Sequence, residues 1–245
     1  MCRAERAPLR AEPRPDSEQR DQILFGEPFE VVAEEAGWAF GRAGRDGYVG
    51  FVPAANLAPE TDPPTHWVRA LRTLAFPQPD FKSTPPLLLS MNALVRVVGQ
   101  EGRYLHADGA GWIVEHHLSP IGTVERDPAE VAERFLGAVY QWGGRESLGL
   151  DCSGLVQQAL YACGLPCPRD SDMQEALGRE VPPDALRRND LVFWEGHVGL
   201  MLDQHRLIHA NASHMAVAVE ALDEAAARKR AAGEGAPVAY RRLDL

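Results

Sequence analysis

Cys152 is the residue around which a chemical argument can be built. It stands in Asp151-Cys152-Ser153-Gly154, at the head of an apolar-periodic segment. A cysteine in the first turn of a helix lies beside unpaired backbone N–H groups and the positive end of the helix dipole. Both stabilise a thiolate and lower its pKa. Asp151 is placed to cap that helix and fix the cysteine. Upstream, Tyr140-Gln141-Trp142-Gly143-Gly144 supplies paired glycines, which let a chain approach a ligand closely. A thiolate nucleophile also needs a group that takes and returns a proton. His197, in Glu195-Gly196-His197-Val198-Gly199-Leu200, and His209, in Leu207-Ile208-His209-Ala210, are the candidates. If their strands form a hairpin around Asp203–Arg206, an odd-length loop puts both histidines on one face. His209 would then orient His197, as the third member of a triad does.

Taken singly, each of these residues has a plainer reading. A cysteine at a buried helix start packs as a small hydrophobe. A histidine in a strand is often a hydrogen-bonded structural group. Arg169-Asp170-Ser171-Asp172 alone reads as a turn or a helix cap. What favours chemistry is the order: a cysteine at a helix start, then histidines on successive strands. Three competing readings stay open: an amidase or acyltransferase using the same thiol, an inactive peptide-binding module, and a metal site built from His197, His205, His209 and His214. The metal reading lacks a helical i, i+4 pair and an acidic ligand. Cys163 and Cys167 are spaced C-x3-C without a second pair, so a closed zinc site is not expected.

The elements that must position these groups occupy residues 121–245. Asp127-Pro128-Ala129-Glu130 is a helix start, with Val131, Phe135, Leu136 and Val139 on one face. A second helix runs from Asp151 to near Gly164, with Leu155, Val156, Ala159 and Leu160 as its stripe. Strands follow at Leu191–Trp194, Val198–Leu202, Leu207–Ala210 and Val217–Val219, then a surface helix at Ala221–Ala232 and a closing strand at Val238–Leu243. Helices followed by strands read as α+β.

The first 120 residues have another texture. Short apolar runs alternate with tight turns, as in a small barrel. Asp46-Gly47-Tyr48-Val49-Gly50-Phe51-Val52 is echoed by Asp108-Gly109-Ala110-Gly111-Trp112-Ile113-Val114, and each copy is followed by a leucine, Leu57 or Leu118. The echo predicts two related barrels, at 1–60 and 61–120, joined by Thr61-Asp62-Pro63-Pro64. The fold class expected is therefore multidomain: two small all-β barrels followed by an α+β domain at 121–245.

Composition narrows the function. Net charge is -10, which argues against nucleic acid as a partner. No run approaches the roughly 18 apolar residues of a membrane helix, so no membrane partner is expected. The N-terminal stretch has no apolar core of a secretory signal, and a soluble, cytoplasmic protein is expected.

Residues 121–245 resemble the NlpC/p60 family of papain-like cysteine peptidases. The resemblance rests on Y-x-W-G-G at 140–144, D-C-S-G-L-V at 151–156, P-R-D-S at 168–171, N-D-L-V-F-W at 189–194, H-V-G-L at 197–200 and L-I-H-A at 207–210. It implies Cys152 as nucleophile, His197 as general base and acid, His209 as its orienting partner, and Tyr140 near the oxyanion site. Asn189 stands where the family usually has glycine, a change that Asn tolerates at positive φ. The first 120 residues resemble the bacterial SH3-like domains that precede some members. The whole arrangement is similar to endopeptidases that cut the γ-D-glutamyl–diamino acid bond of murein peptides with a free N-terminal L-Ala, in cell-wall recycling. That likeness implies a murein-derived peptide as the partner, with no metal or cofactor. It implies Asp151, Ser153, Asp170 and Ser171 as substrate-binding residues, joined by Glu18 and Tyr48 from the first barrel.

Overall fold

The computed structural model describes residues 1–59, 62–84 and 86–245. Thr61 of the expected linker lies outside them. The chain divides into two compact units, Met1–Val124 and Glu125–Leu245.

The N-terminal unit begins with β1 (Arg6–Arg10), β2 (Gln19–Leu24), β3 (Phe29–Glu35), β4 (Trp38–Ala43) and β5 (Val49–Pro53), which form one sheet in the order β2-β1-β5-β4-β3. Ala7, Leu9, Ile23, Ala39 and Val52 fill its core. The second half contains β6 (His66–Val68), β7 (Arg72–Phe76), β8 (Leu87–Ser90), β9 (Leu94–Val95), β10 (Val97–Glu101), β11 (Tyr104–Ala107), β12 (Gly111–Val114) and β13 (Leu118–Pro120). These make a five-stranded and a three-stranded sheet. The expected single strand at 94–98 breaks at Arg96, where the chain passes from one sheet to the other. Arg96 is held there by Asp62 and Asp108, each at 2.8 Å. The two Asp-Gly echoes occupy equivalent places: β5 and β12 each lead into one short 3-10 turn, Ala54–Asn56 and Glu115–His117.

The two barrels share one unit because the first inserts into the second. Leu24 and Phe25 belong to the second core, beside Leu89, Val95 and Ile113. The Leu94 N–H donates to the Phe25 carbonyl at 2.8 Å. Residues 121–124 stay with this unit rather than opening the next, since Trp67 Nε1 donates to the Thr123 carbonyl at 2.9 Å.

The C-terminal unit is a nine-stranded sheet with helices packed on it. In chain order its elements are α1 (Pro128–Glu133), β14 (Val139–Tyr140), β15 (Arg145–Glu146), β16 (Gly149–Leu150), α2 (Cys152–Ala162), α3 (Ser171–Gln174), β17 (Arg179–Glu180), β18 (Asp190–Trp194), β19 (His197–Met201), β20 (Arg206–Asn211), β21 (Ala216–Ala221), α4 (Leu222–Ala231) and β22 (Ala239–Arg242). The strand order is β15-β16-β14-β21-β20-β19-β18-β22-β17. Every residue of β18 and β19 is buried, as expected of strands covered on both faces. The α4 side is closed by Val192, Trp194, Met201 and Leu207 against Ala225 and Ala226.

Local signals explain most of these elements. Asp127 caps α1 by accepting from the Ala129 N–H, with Pro128 at the first helical position. The helix is shorter than its apolar spacing predicts. Arg134, Phe135 and Leu136 leave it in tight i→i−3 turns, Gly137 follows at φ +81, and Leu136 and Val139 end up exposed. Sheet pairing wins here: β14 pairs with β16 and β21, so Val139 cannot continue a helix. Asn189 adopts φ +73, the conformation that glycine or asparagine reaches most easily. Its Oδ1 also accepts from the Ala129 N–H at 2.8 Å.

Candidate active site

The site is built at the start of α2. Asp151 is its N-cap, and Oδ1 accepts from the Gly154 N–H at 2.8 Å. Oδ2 accepts from the Gly143 N–H at 2.9 Å, which ties the preceding loop to the helix start. Arg169 closes the arrangement with Nη1 3.0 Å from Oδ1 and Nη2 2.6 Å from Oδ2. Ser153 Oγ accepts from Arg169 at 2.7 Å and donates to Asp151 at 3.2 Å. The glycines serve this packing. Gly143 sits at φ +66, and a Cβ on Gly154 would lie 2.4 Å from the Gly144 carbonyl oxygen.

This geometry changes the roles expected of two residues. Asp151 and Ser153 were expected to bind substrate, yet both are buried and their oxygens are engaged by Arg169, Gly143 and Gly154. They hold the Cys152 turn in shape. Arg169, a fully buried cation, is the partner that makes a buried Asp151 carboxylate tolerable.

Cys152 is buried, with 7% of its surface exposed. Its sulfur is held by the backbone N–H groups of Val198 and Ser153. The first of these places the sulfur at the head of β19, one residue from His197. The expected lowering of the thiol pKa is not what this setting produces. Burial, and then the charge of Asp151, push it up to about 11 and outweigh the two N–H groups and Arg169.

The two histidines do meet. His197 Nε2 and His209 Nδ1 are 2.8 Å apart, with ring centroids separated by 5.0 Å. Register explains it. Leu200 faces Ile208 and Met201 faces Leu207, so the loop is Leu202–Arg206, five residues, and 197 and 209 share a face. Gly199 leaves room, since a Cβ there would touch His209 Cβ at 3.6 Å and Leu207 Cδ1 at 2.4 Å. With Nε2 engaged, Nδ1 of His197 is the nitrogen left for the thiol. Burial, then His209, Lys229 and Arg228, hold His197 well below the ordinary imidazole range. The Trp194 ring packs beside it at 5.8 Å between centroids. Both settings favour the neutral form, of the cysteine and of the histidine.

Tyr140 ends β14 half-buried beside this cluster. Burial, then Cys152 and Asp151, push its hydroxyl up to about 12, so it remains a hydrogen-bond donor. Asp170 and Ser171 open α3, which Gln174 anchors by donating to the Ser153 and Pro168 carbonyls at 3.0 and 2.8 Å. Glu18, before β2, and Tyr48, before β5, belong to the N-terminal unit, and the geometry above stands without them. Among the described residues, no group of three or more His, Cys, Asp or Glu side chains is placed to hold a metal.

Two residues in contact with this cluster escaped the sequence reading. Glu220 Oε1 lies 2.6 Å from His209 Nε2, and Arg228 contacts the same oxygen. The sequence offers only a faint signal, an acid closing the apolar alternation of 216–219.

Residues 137–235 match the model of the NlpC/P60 family. Residues 9–57 match that of the bacterial dipeptidyl-peptidase Sh3 domain. The chain is 26% identical to dipeptidyl-peptidase 6 of Lysinibacillus sphaericus over 243 residues, covering 89% of each chain. It is 28% identical to the gamma-D-glutamyl-L-lysine dipeptidyl-peptidase of Bacillus subtilis, covering 85% of this chain and 78% of that one. In fold it resembles an NlpC/P60 family protein from Bacillus cereus, with TM-score 0.85 at 19% identity over 99% of this chain and 98% of that one.

Proposed function

Because the chain carries an NlpC/P60 peptidase domain behind a bacterial dipeptidyl-peptidase Sh3 domain, we propose that it hydrolyses the γ-D-glutamyl–diamino acid bond of murein peptides with a free N-terminal L-Ala. The observation that carries this reading is the Cys152 sulfur on the Val198 N–H at the head of β19, one residue along the chain from His197, whose ring contacts His209. Relatives that align over most of the chain bear dipeptidyl-peptidase names, one of them gamma-D-glutamyl-L-lysine dipeptidyl-peptidase.

Both reacting groups start neutral, so the sulfur is activated during attack. The Cys152 sulfur bonds to the γ-carbonyl carbon while its proton passes to His197. The Cys152 N–H, at the first position of α2, has no intrahelical acceptor and faces the developing oxyanion with Tyr140 as second donor. When the carbon–nitrogen bond breaks, His197 returns the proton to the leaving diamino-acid amine. Water then attacks the thioester, giving its proton to His197 and restoring the thiol. Asp170 and Ser171 anchor the substrate's ammonium, and this remote binding positions the scissile carbonyl. We place the reaction in the cytoplasm, in the recycling of wall peptides, where the four free cysteines stay reduced.

The test is incubation with L-Ala-γ-D-Glu-diaminopimelate and its lysine counterpart, followed by mass spectrometry. Release of L-Ala-D-Glu by the native enzyme, and none by Cys152→Ser, is expected. Turnover undiminished in Cys152→Ser, or no cleavage of either peptide by the native enzyme, would overturn the reading.

A further inference from the structure

His209 is itself held from behind. Register sets His209 opposite Ala218 and Leu207 opposite Glu220, so Glu220 lies diagonally from His209 on the same face. Its Oε1 is 2.6 Å from His209 Nε2. Arg228, from α4, bonds that oxygen and donates to Ser213 Oγ at 2.6 Å. The hydrogen bond from His209, then that from Arg228, outweigh burial and bring the Glu220 carboxyl down to about 2. Glu220 is therefore ionised across the working range and can only accept.

That fact propagates through the hydrogen bonds. An acceptor-only carboxylate requires the proton of His209 to sit on Nε2. The neutral ring then offers a lone pair at Nδ1, and the 2.8 Å contact requires the proton of His197 to sit on Nε2. The His197 lone pair is left on Nδ1, the form needed to take a proton from a thiol. Reversing His209 would set its Nε2 lone pair against the Glu220 carboxylate, and reversing His197 would set two imidazole lone pairs against each other. We propose that Glu220, held by Arg228, is a positioning residue that fixes both imidazole tautomers and so keeps His197 a base. The proposal rests on the reading of His197 as the proton carrier.

The charges around the pair are defined. Arg228 and Lys229 come from α4, and His214 Nδ1 is 3.9 Å from Glu220 Oε1. Lys229 is paired with Glu234 at 2.6 Å. Glu220 is the carboxylate in contact with His209, and both cations lower the histidines.

Two measurements test this on the full chain. Nitrogen-15 spectra of histidine-labelled enzyme, taken above the imidazole titrations, should show Nε2–H at both His197 and His209. In Glu220→Leu the tautomers should mix. Iodoacetamide modification of Cys152, followed by peptide mass spectrometry, should then slow about 10–100-fold, with kcat falling in parallel and KM holding. Glu220→Gln, whose amide oxygen still accepts, should restore most of the rate. Nδ1–H at His209 in the native enzyme overturns the proposal, and needs no variant. Native tautomers and alkylation rate in Glu220→Leu overturn it equally. The tautomer spectra and the alkylation rate use no murein peptide, so an error in the substrate would leave those two results intact.

Discussion

Arg169 grips Asp151 through both carboxylate oxygens, at 3.0 and 2.6 Å, behind the Cys152 turn. Both side chains are almost wholly buried. A buried pair is costly to break because the remaining charge has no water to turn to. Arg169→Met should therefore lose about 3–5 kcal/mol of stability, read from urea denaturation. Asp151 would also lose the clamp that fixes the Gly143 and Gly154 N–H groups, so turnover should fall with it. A change below about 1 kcal/mol, within the range of an exposed pair, would show that the clamp is dispensable.

The neutral state of Cys152 makes a prediction about pH. Its thiol sits at about 11 in the native chain against 9.0 for an unperturbed cysteine. Alkylation of Cys152 in the free enzyme should therefore keep rising past pH 9, without the neutral plateau of a thiolate–imidazolium pair. Stability follows by linkage. Between pH 9 and about 11 the unfolded chain has lost a proton that the native chain keeps, so this group's contribution falls as pH rises. Cys152→Ala removes that share, and the variant's stability should decline less steeply over this window. A plateau of alkylation near pH 7 would contradict the neutral assignment.

These residues also show what a sequence can disclose. Asp127 and Asp151 were legible as caps because capping is local: a side chain reaches a backbone N–H two or three residues on. His197 and His209 were legible as a pair because strand parity is local once the loop is counted. Glu220 was not, since its role depends on the β20–β21 register and on α4 folding back with Arg228. The thiol was misjudged for a related reason. A helix start can be read from sequence, but the depth of burial that outweighs it cannot. The shortened α1 likewise reflects a sheet partner far along the chain, Ala216 opposite Val139.

Gly154 gives a prediction about packing. A Cβ there would stand 2.4 Å from the Gly144 carbonyl oxygen and 3.1 Å from Asp151 Oδ1. Neither neighbour is the free end of a flexible side chain, so the loop must move off the helix start. Gly154→Ala should cost about 1–3 kcal/mol and lower kcat through a displaced Cys152. Thermal unfolding and steady-state kinetics check it together. A variant with native stability and native kcat would show that the close approach is not needed.

The amine anchor can be isolated by pairing a substrate change with a protein change. A charge-assisted hydrogen bond to the substrate ammonium contributes about 1.5–3 kcal/mol, or roughly 10–150-fold in kcat/KM. Acetylating the N-terminal alanine removes the charge, and Asp170→Asn removes its partner. Each alone should lower kcat/KM by that order. Applied together they should cost little more than either alone, because the second change finds the interaction already gone. Fully additive losses would mean that the ammonium binds elsewhere and that Asp170 serves only as the N-cap of α3. Equal turnover of free and acetylated peptides by the native enzyme would remove the anchor altogether.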